Sequence, residues 1–135
     1  YETSEQVGDV GSAVQDDIPT MYLPVNQRIR IELESRDVIH SFWIVNFLYK
    51  KDMIPAKTNY WYFIPEKEGT YAGKCAELCG EYHSLMLFNV EVVSQAEYDE
   101  YIESLRAEGN VGRLGPEFNT NTNLPGTTGE TEEVE

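Results

Sequence analysis

Twelve consecutive residues, Cys75-Ala76-Glu77-Leu78-Cys79-Gly80-Glu81-Tyr82-His83-Ser84-Leu85-Met86, carry two thiols, an imidazole and a thioether. The chain holds only two cysteines and two histidines, so the remaining one of these residues is His40, well upstream. For the four to act as one constellation, the fold must bring His40 to this loop. Thiolate, thioether and imidazole together are soft donors that select copper over hard, oxygen-seeking cations.

The spacing narrows the chemistry. Cys79, His83 and Met86 read C-x3-H-x2-M, which with an earlier His is the order of a mononuclear blue-copper site: two His, one Cys and a weak axial Met. Cys75 is then one thiolate too many. Two facing thiolates can instead bridge two coppers, leaving one imidazole for each metal. Met86 can cap one copper, and a backbone carbonyl between the cysteines, that of Glu77, the other. Such a centre shares a single electron over both metals, passes electrons quickly and performs no bond chemistry itself.

Plainer readings stand beside this one. Two cysteines four apart form a disulfide if their Cα atoms lie roughly 4.4–6.8 Å apart, but the closed loop is too short to stabilise much and His83 and Met86 go unexplained. A structural zinc site usually shows tighter Cys or His pairs and has no use for Met. His40 alone, in an apolar run, is an ordinary core histidine, and its claim as a ligand depends on the downstream loop.

The segments Asp37-Val38-Ile39-His40-Ser41-Phe42-Trp43, Lys50-Lys51-Asp52-Met53-Ile54-Pro55 and Gly73 to Met86 together resemble the copper A domain of cytochrome c oxidase subunit II. The resemblance runs over about residues 20 to 107. It implies a dinuclear copper centre with His40, Cys75, Glu77, Cys79, His83 and Met86 as the metal residues, His40 and Met86 serving one copper and His83 and the Glu77 carbonyl the other. It also implies a cupredoxin Greek key, and an upstream transmembrane hairpin holding the domain at the outer face of the plasma membrane against oxidase subunit I. The family commonly has Pro two residues after the Trp, where this chain has Val45.

Further roles follow from the resemblance. The Glu77 carboxylate is expected to help hold magnesium at the contact with subunit I in the assembled complex, a task suited to a hard oxygen donor; in isolation it is simply solvated. Asp37 matches an acid near the face where cytochrome c, or a tethered c-type haem domain, docks. The family's electron-entry tryptophan lies upstream of anything here, so neither Trp43 nor Trp61 inherits that role. Trp43, close to His40, is expected to pack at the site, and Trp61 in the core or in an interface patch.

A length of 135 residues suits one domain. The formal charge of −14 is concentrated at the ends. Residues 1–20 hold five acids and no base, residues 110–135 five acids and Arg113, and the middle 14 acids against nine bases. Nucleic acid is therefore not an expected partner, whereas a cationic protein face is; the simplest reading is acid kept for solubility. No apolar run approaches the roughly 18–20 residues that cross a bilayer, and the start is not a signal peptide.

The secondary structure reads as mostly β. Residues 1–19 form a loose acidic segment, 20–109 the domain and 110–135 a disordered acidic tail. Arg28 to Glu34 alternates polar and apolar, a half-buried strand with Ile29, Ile31 and Leu33 turned inward. Residues 38–45 and 59–64 are short β-branched and aromatic strands, the second stopped by Pro65. A brief strand at 70–73 precedes the ligand loop, and 85–93 leads out of it. Short strands with intervening turns predict an all-β sandwich, in the resemblance a cupredoxin-like Greek key. Ser94-Gln95-Ala96-Glu97 is a capping box opening a short C-terminal helix, with Tyr98, Tyr101, Ile102 and Leu105 on one face and Gly109 after its end.

The functional reading favoured by these residues is an electron relay of a terminal oxidase. The alternatives are a stand-alone mononuclear cupredoxin, the copper A domain of nitrous oxide reductase, or a copper-delivery protein. Cys75 argues against the mononuclear form, and the nitrous oxide enzyme needs a large propeller domain absent from these residues.

Overall fold

The computed structural model describes residues 18–80 and 83–113 together with 115, 117 and 119. Its elements run β1 (Thr20–Pro24), β2 (Ile29–Leu33), β3 (His40–Ile44), β4 (Tyr49–Met53), β5 (Asn59–Phe63), β6 (Gly69–Cys75), β7 (Leu87–Val93) and α1 (Gln95–Ala107). One sheet has the order β1-β7-β6-β3-β4, with β1 parallel to β7 and the other neighbours antiparallel. The second is the antiparallel pair β2–β5. This is the expected all-β, cupredoxin-like sandwich with one short C-terminal helix.

The alternation read over Arg28–Glu34 becomes β2, with Leu33 buried and Ile29 and Ile31 packed against the core. Leu23, Leu33, Ile44, Trp61, Val90 and Val92 form that core, so of the two readings for Trp61 the structure takes the interior one. Phe42 of β3 stacks on Phe88 of β7 with ring centroids 4.7 Å apart. The stack crosses over β6 at Gly73, where an added Cβ would come within 2.2 Å of the Phe88 ring. A glycine is therefore required two residues before Cys75.

Neither β1 nor β4 was foreseen, and β6 runs longer than expected. β4 was not foreseen because Tyr49-Lys50-Lys51-Asp52-Met53 lacks β-branched residues and an alternation of polar and apolar residues. It forms by pairing with β3, with Trp43 opposite Lys50 and His40 opposite Met53, after a 3-10 turn at Val45–Phe47 closed by Leu48 at φ 56°. β6 continues past Gly73 to Cys75, because the Cys75 N–H donates to the Met86 carbonyl at 3.0 Å and ties the two ends of the ligand loop.

The helix begins as its sequence indicates. The Ser94 hydroxyl accepts from the Glu97 N–H, and the Glu97 carboxylate accepts from the Ser94 N–H at 3.1 Å. Those bonds hold the Glu97 carboxyl below its ordinary range. Ile102 and Leu105 are buried, and Tyr101 stacks on Tyr22 of β1 at 4.2 Å.

Part of the segment 110–135, expected to be loose, is engaged. Arg113 pairs with Glu34 at 3.1 Å and Glu32 at 3.5 Å, and Arg36 donates to the Gly115 carbonyl and to Asn119. Low hydrophobicity argues for disorder, but it does not register polar pairing with a distant strand. Residues 1–17 and 120–135, to which the rest of that expectation applies, lie outside the described residues. Among the described residues no helix is long and apolar enough to cross a membrane.

Candidate metal centre

Three elements deliver the donor atoms to one end of the sandwich. His40 is the first residue of β3, Cys75 the last of β6, and His83 stands in the 3-10 turn His83–Leu85 that leads to β7. β3 and β6 are hydrogen-bonded neighbours, with Phe42 opposite Cys75, so residues separated by 35 positions become adjacent. The Ala76 N–H donates to the Ser41 carbonyl at 2.9 Å and extends that pairing into the loop.

The resulting geometry is a chain of soft donors. His40 Nδ1 lies 3.8 Å from Cys75 Sγ, Cys75 Sγ 3.8 Å from Cys79 Sγ, and Cys79 Sγ 3.5 Å from His83 Nδ1. Met86 Sδ is 3.0 Å from Cys79 Sγ, and the Glu77 carbonyl oxygen is 3.2 Å from Cys75 Sγ. The ligand atoms of His40, Cys75 and Cys79 all fall within 4.8 Å of one another. All six residues named from the sequence thus lie in one cluster.

Both cysteines are free. Their sulfur separation of 3.8 Å is far beyond the roughly 2.05 Å of a disulfide. It is within the span of two metal–thiolate bonds of about 2.3 Å each, so both sulfurs can bind the same ion. The donors therefore fit a soft metal that both thiolates can reach.

The residue that sequence reading placed in another role is Asp37. Its Oδ1 lies 2.7 Å from His40 Nε2, which leaves Nδ1 of the ring for the sulfur side. The D-x-x-H spacing is the signal that could have revealed it. The Asp37 side chain is 50% exposed and that of His40 12%. Burial opposes ionisation of Asp37, but the bonds from His40, Val38 and Ser35 outweigh it and hold the carboxyl below its usual range. Burial likewise opposes a charged His40, yet Asp37 and Cys75 raise its pKa above the ordinary value.

The two thiols are made unequal. Burial raises both, but the backbone at Ser41 and Glu77, together with His40, brings Cys75 below the ordinary thiol value. Cys79, pushed by burial and then by the neighbouring Cys75, rises to about 11.

Trp43 does not pack at the cluster as expected. Alternation along β3 turns it away from the face shared by His40 and Phe42, and its ring lies under the Lys74 ammonium at 4.7 Å. The Glu77 side chain is exposed, and Leu78 between the cysteines is 80% exposed.

Residues 6–93 match the family model described as cytochrome c oxidase subunit II, periplasmic domain. The chain is 54% identical over 94 residues to a probable cytochrome c oxidase subunit 2 of Streptomyces coelicolor, an alignment covering 70% of this chain and 30% of that protein. A Nocardia farcinica protein of the same description is 40% identical over 113 residues, covering 79% of this chain and 29% of its own length. The chain thus spans under a third of these relatives. Among solved structures, the periplasmic domain of subunit II of cytochrome oxidase from Bradyrhizobium japonicum superposes with a TM-score of 0.63 at 36% identity, covering 66% of this chain and 64% of that one.

Proposed function

The chain belongs to the cytochrome c oxidase subunit II family as its periplasmic domain, and on that premise we propose that it is the electron-transfer domain of a terminal oxidase, built around a dinuclear copper centre. Cys75 and Cys79 would be the thiolates shared by both ions. His40 and Met86 would hold one ion, His83 and the Glu77 carbonyl the other. The observation that carries this reading is the symmetry of the donors: the two sulfurs face each other at 3.8 Å, with one imidazole Nδ1 beyond each, at 3.8 Å from Cys75 and 3.5 Å from Cys79. A mononuclear blue-copper site of two His, one Cys and an axial Met leaves one of those thiolates without a task.

Bound copper would supply a one-electron couple. The protein's part is to hold the donors still. Asp37 fixes the His40 ring so that Nδ1 faces the cluster, and the bond from Cys75 N–H to the Met86 carbonyl closes the loop on itself. Neighbouring β strands β3 and β6 supply a rigid base for both bonds. Donors held in this way rearrange little on a change of charge, the condition for rapid electron passage. Met86, weakly ligating and 38% exposed, is the donor best placed to tune potential without holding the site together.

In this reading the electrons come from cytochrome c or a tethered c-type haem domain and pass to haem in subunit I. The domain works at the outer face of the plasma membrane, anchored by a segment upstream. The exposed Glu77 carboxylate would contribute to a magnesium site at the subunit I contact. The deciding experiment is copper content together with electron paramagnetic resonance of the loaded domain. Two coppers per chain and hyperfine coupling to two equivalent nuclei are expected, and one copper per chain would overturn the dinuclear assignment.

A further inference from the structure

The turn between β2 and β3 is held from both sides. On its inner side the buried Ser35 hydroxyl lies 3.0 Å from Asp37 Oδ1, contacts the Val38 carbonyl and receives the Asp37 N–H at 3.4 Å, while Ser35 itself bridges to Pro55. On its outer side Arg36, half-buried, uses one guanidinium nitrogen to donate to the Gly115 carbonyl at 2.8 Å and to Asn119 Oδ1 at 2.9 Å. Arg113 pairs with Glu32 of β2 and with Glu34, just beyond its end. Two arginines thus tie described residues beyond α1, Arg113, Gly115 and Asn119, to β2 and the turn that follows it.

Arg36 is the covalent neighbour of Asp37, and Asp37 is the partner that orients His40. The turn has no strand pairing of its own between Ser35 and His40, so its position depends on these side-chain bonds. We infer that Arg36 is a positioning residue for the metal centre, and that the strap through Gly115 and Asn119 sets the orientation of His40 by fixing Arg36 and, through it, the Asp37 turn. The inference rests on the reading of His40 as a copper ligand. It extends the site from the ligand loop to a segment 75 and more residues from His40, one that no ligand motif marks.

Removing a residue that bonds directly to a metal-bound histidine costs roughly 10–100-fold in metal affinity. Arg36 acts one residue further out, so a smaller effect is expected. The test uses the full chain loaded with copper, measuring copper release to a chelator, the reduction potential and thermal stability. In the metal-free chain, nitrogen NMR of His40 reports which ring nitrogen carries the proton. Arg36→Ala should release copper about 3–10-fold faster and shift or broaden the His40 Nε2–H signal. Arg36→Lys, which keeps a charged donor, should recover part of both. Arg113→Ala loosens the strap away from the turn and should move the site readouts less for an equal loss of melting temperature.

If Arg36→Ala and Arg113→Ala lower stability alike and neither changes copper release or the His40 signal, the strap is only structural and the inference fails. If Arg36→Ala does not fold, Asn119→Ala decides, because it leaves Arg36 in place with one acceptor fewer. A smaller change of the same sign supports the inference, and no change overturns it. Failure of the unsubstituted chain to bind two coppers would count against the copper reading, whereas the His40 NMR signal tests the strap without metal.

Discussion

His40 Nε2 lies 2.7 Å from Asp37 Oδ1, three residues upstream, and the opposite nitrogen of the same ring faces Cys75 at 3.8 Å. One carboxylate therefore decides which nitrogen of His40 is offered to the cluster, because a ring that donates from Nε2 must present Nδ1 as its acceptor.

Asp37→Asn should lower copper affinity roughly 10-fold and lower the pKa of His40 in the metal-free domain. The pH dependence has a definite sign. His40 is raised on folding, so its contribution to stability is complete below its ordinary value of about 6.5 and is lost as pH rises through the folded value. Asp37 is depressed, so its contribution is complete above about 3.9 and is lost as pH falls through the folded value. The melting-temperature gap between the two metal-free proteins should be widest between about pH 4 and 6.5 and narrow on either side. A gap unchanged from pH 4 to 9 would remove the ion pair from the account.

Met86→Leu should keep both coppers and shift the reduction potential, since a weak axial thioether tunes a copper site more than it secures it. Voltammetry and the visible spectrum provide the check. An unaltered potential and spectrum would mean that Met86 only packs against Cys79.

Glu77→Gln retains the main-chain oxygen that sits 3.2 Å from the Cys75 sulfur. The copper spectrum of the isolated domain should persist, while the assembled oxidase loses or weakens its bound magnesium, or manganese put in its place. Loss of copper from the isolated variant would show that the carboxylate, not the carbonyl, matters to the centre.

Gly73→Ala would drive a methyl to within 2.2 Å of Phe88. The Phe42–Phe88 stack would have to yield, at a cost of about 1–3 kcal/mol, as is usual for overpacking. Urea unfolding measures this directly. A change of stability below a few tenths of a kcal/mol would mean the stack shifts freely. Because β6 ends at Cys75 two residues on, copper release should also quicken.

The alternation in Ile29-Arg30-Ile31-Glu32-Leu33 placed β2 and its buried face without any tertiary knowledge, and the capping box placed the start of α1. Both are local: the period of side-chain direction and the first free N–H groups of a helix are set within a few residues. β4 escaped because it depends on β3 for its pairing, and its lysines carry no pattern that announces a strand.

The same division applies to the site. Residue type and spacing alone determined the donor chemistry, two thiols, two imidazoles and a thioether, because softness is a property of the atoms and C-x3-H-x2-M is confined to one loop. Only the tertiary structure decided which atoms face each other. It set Cys75 and Cys79 at 3.8 Å, turned Trp43 away towards Lys74, made Asp37 the partner of His40, and laid Gly115 and Asn119 on Arg36. Those relations depend on strands and polar groups distant in the chain meeting in space, and a contact between isolated polar residues leaves no periodicity in sequence from which it could be read.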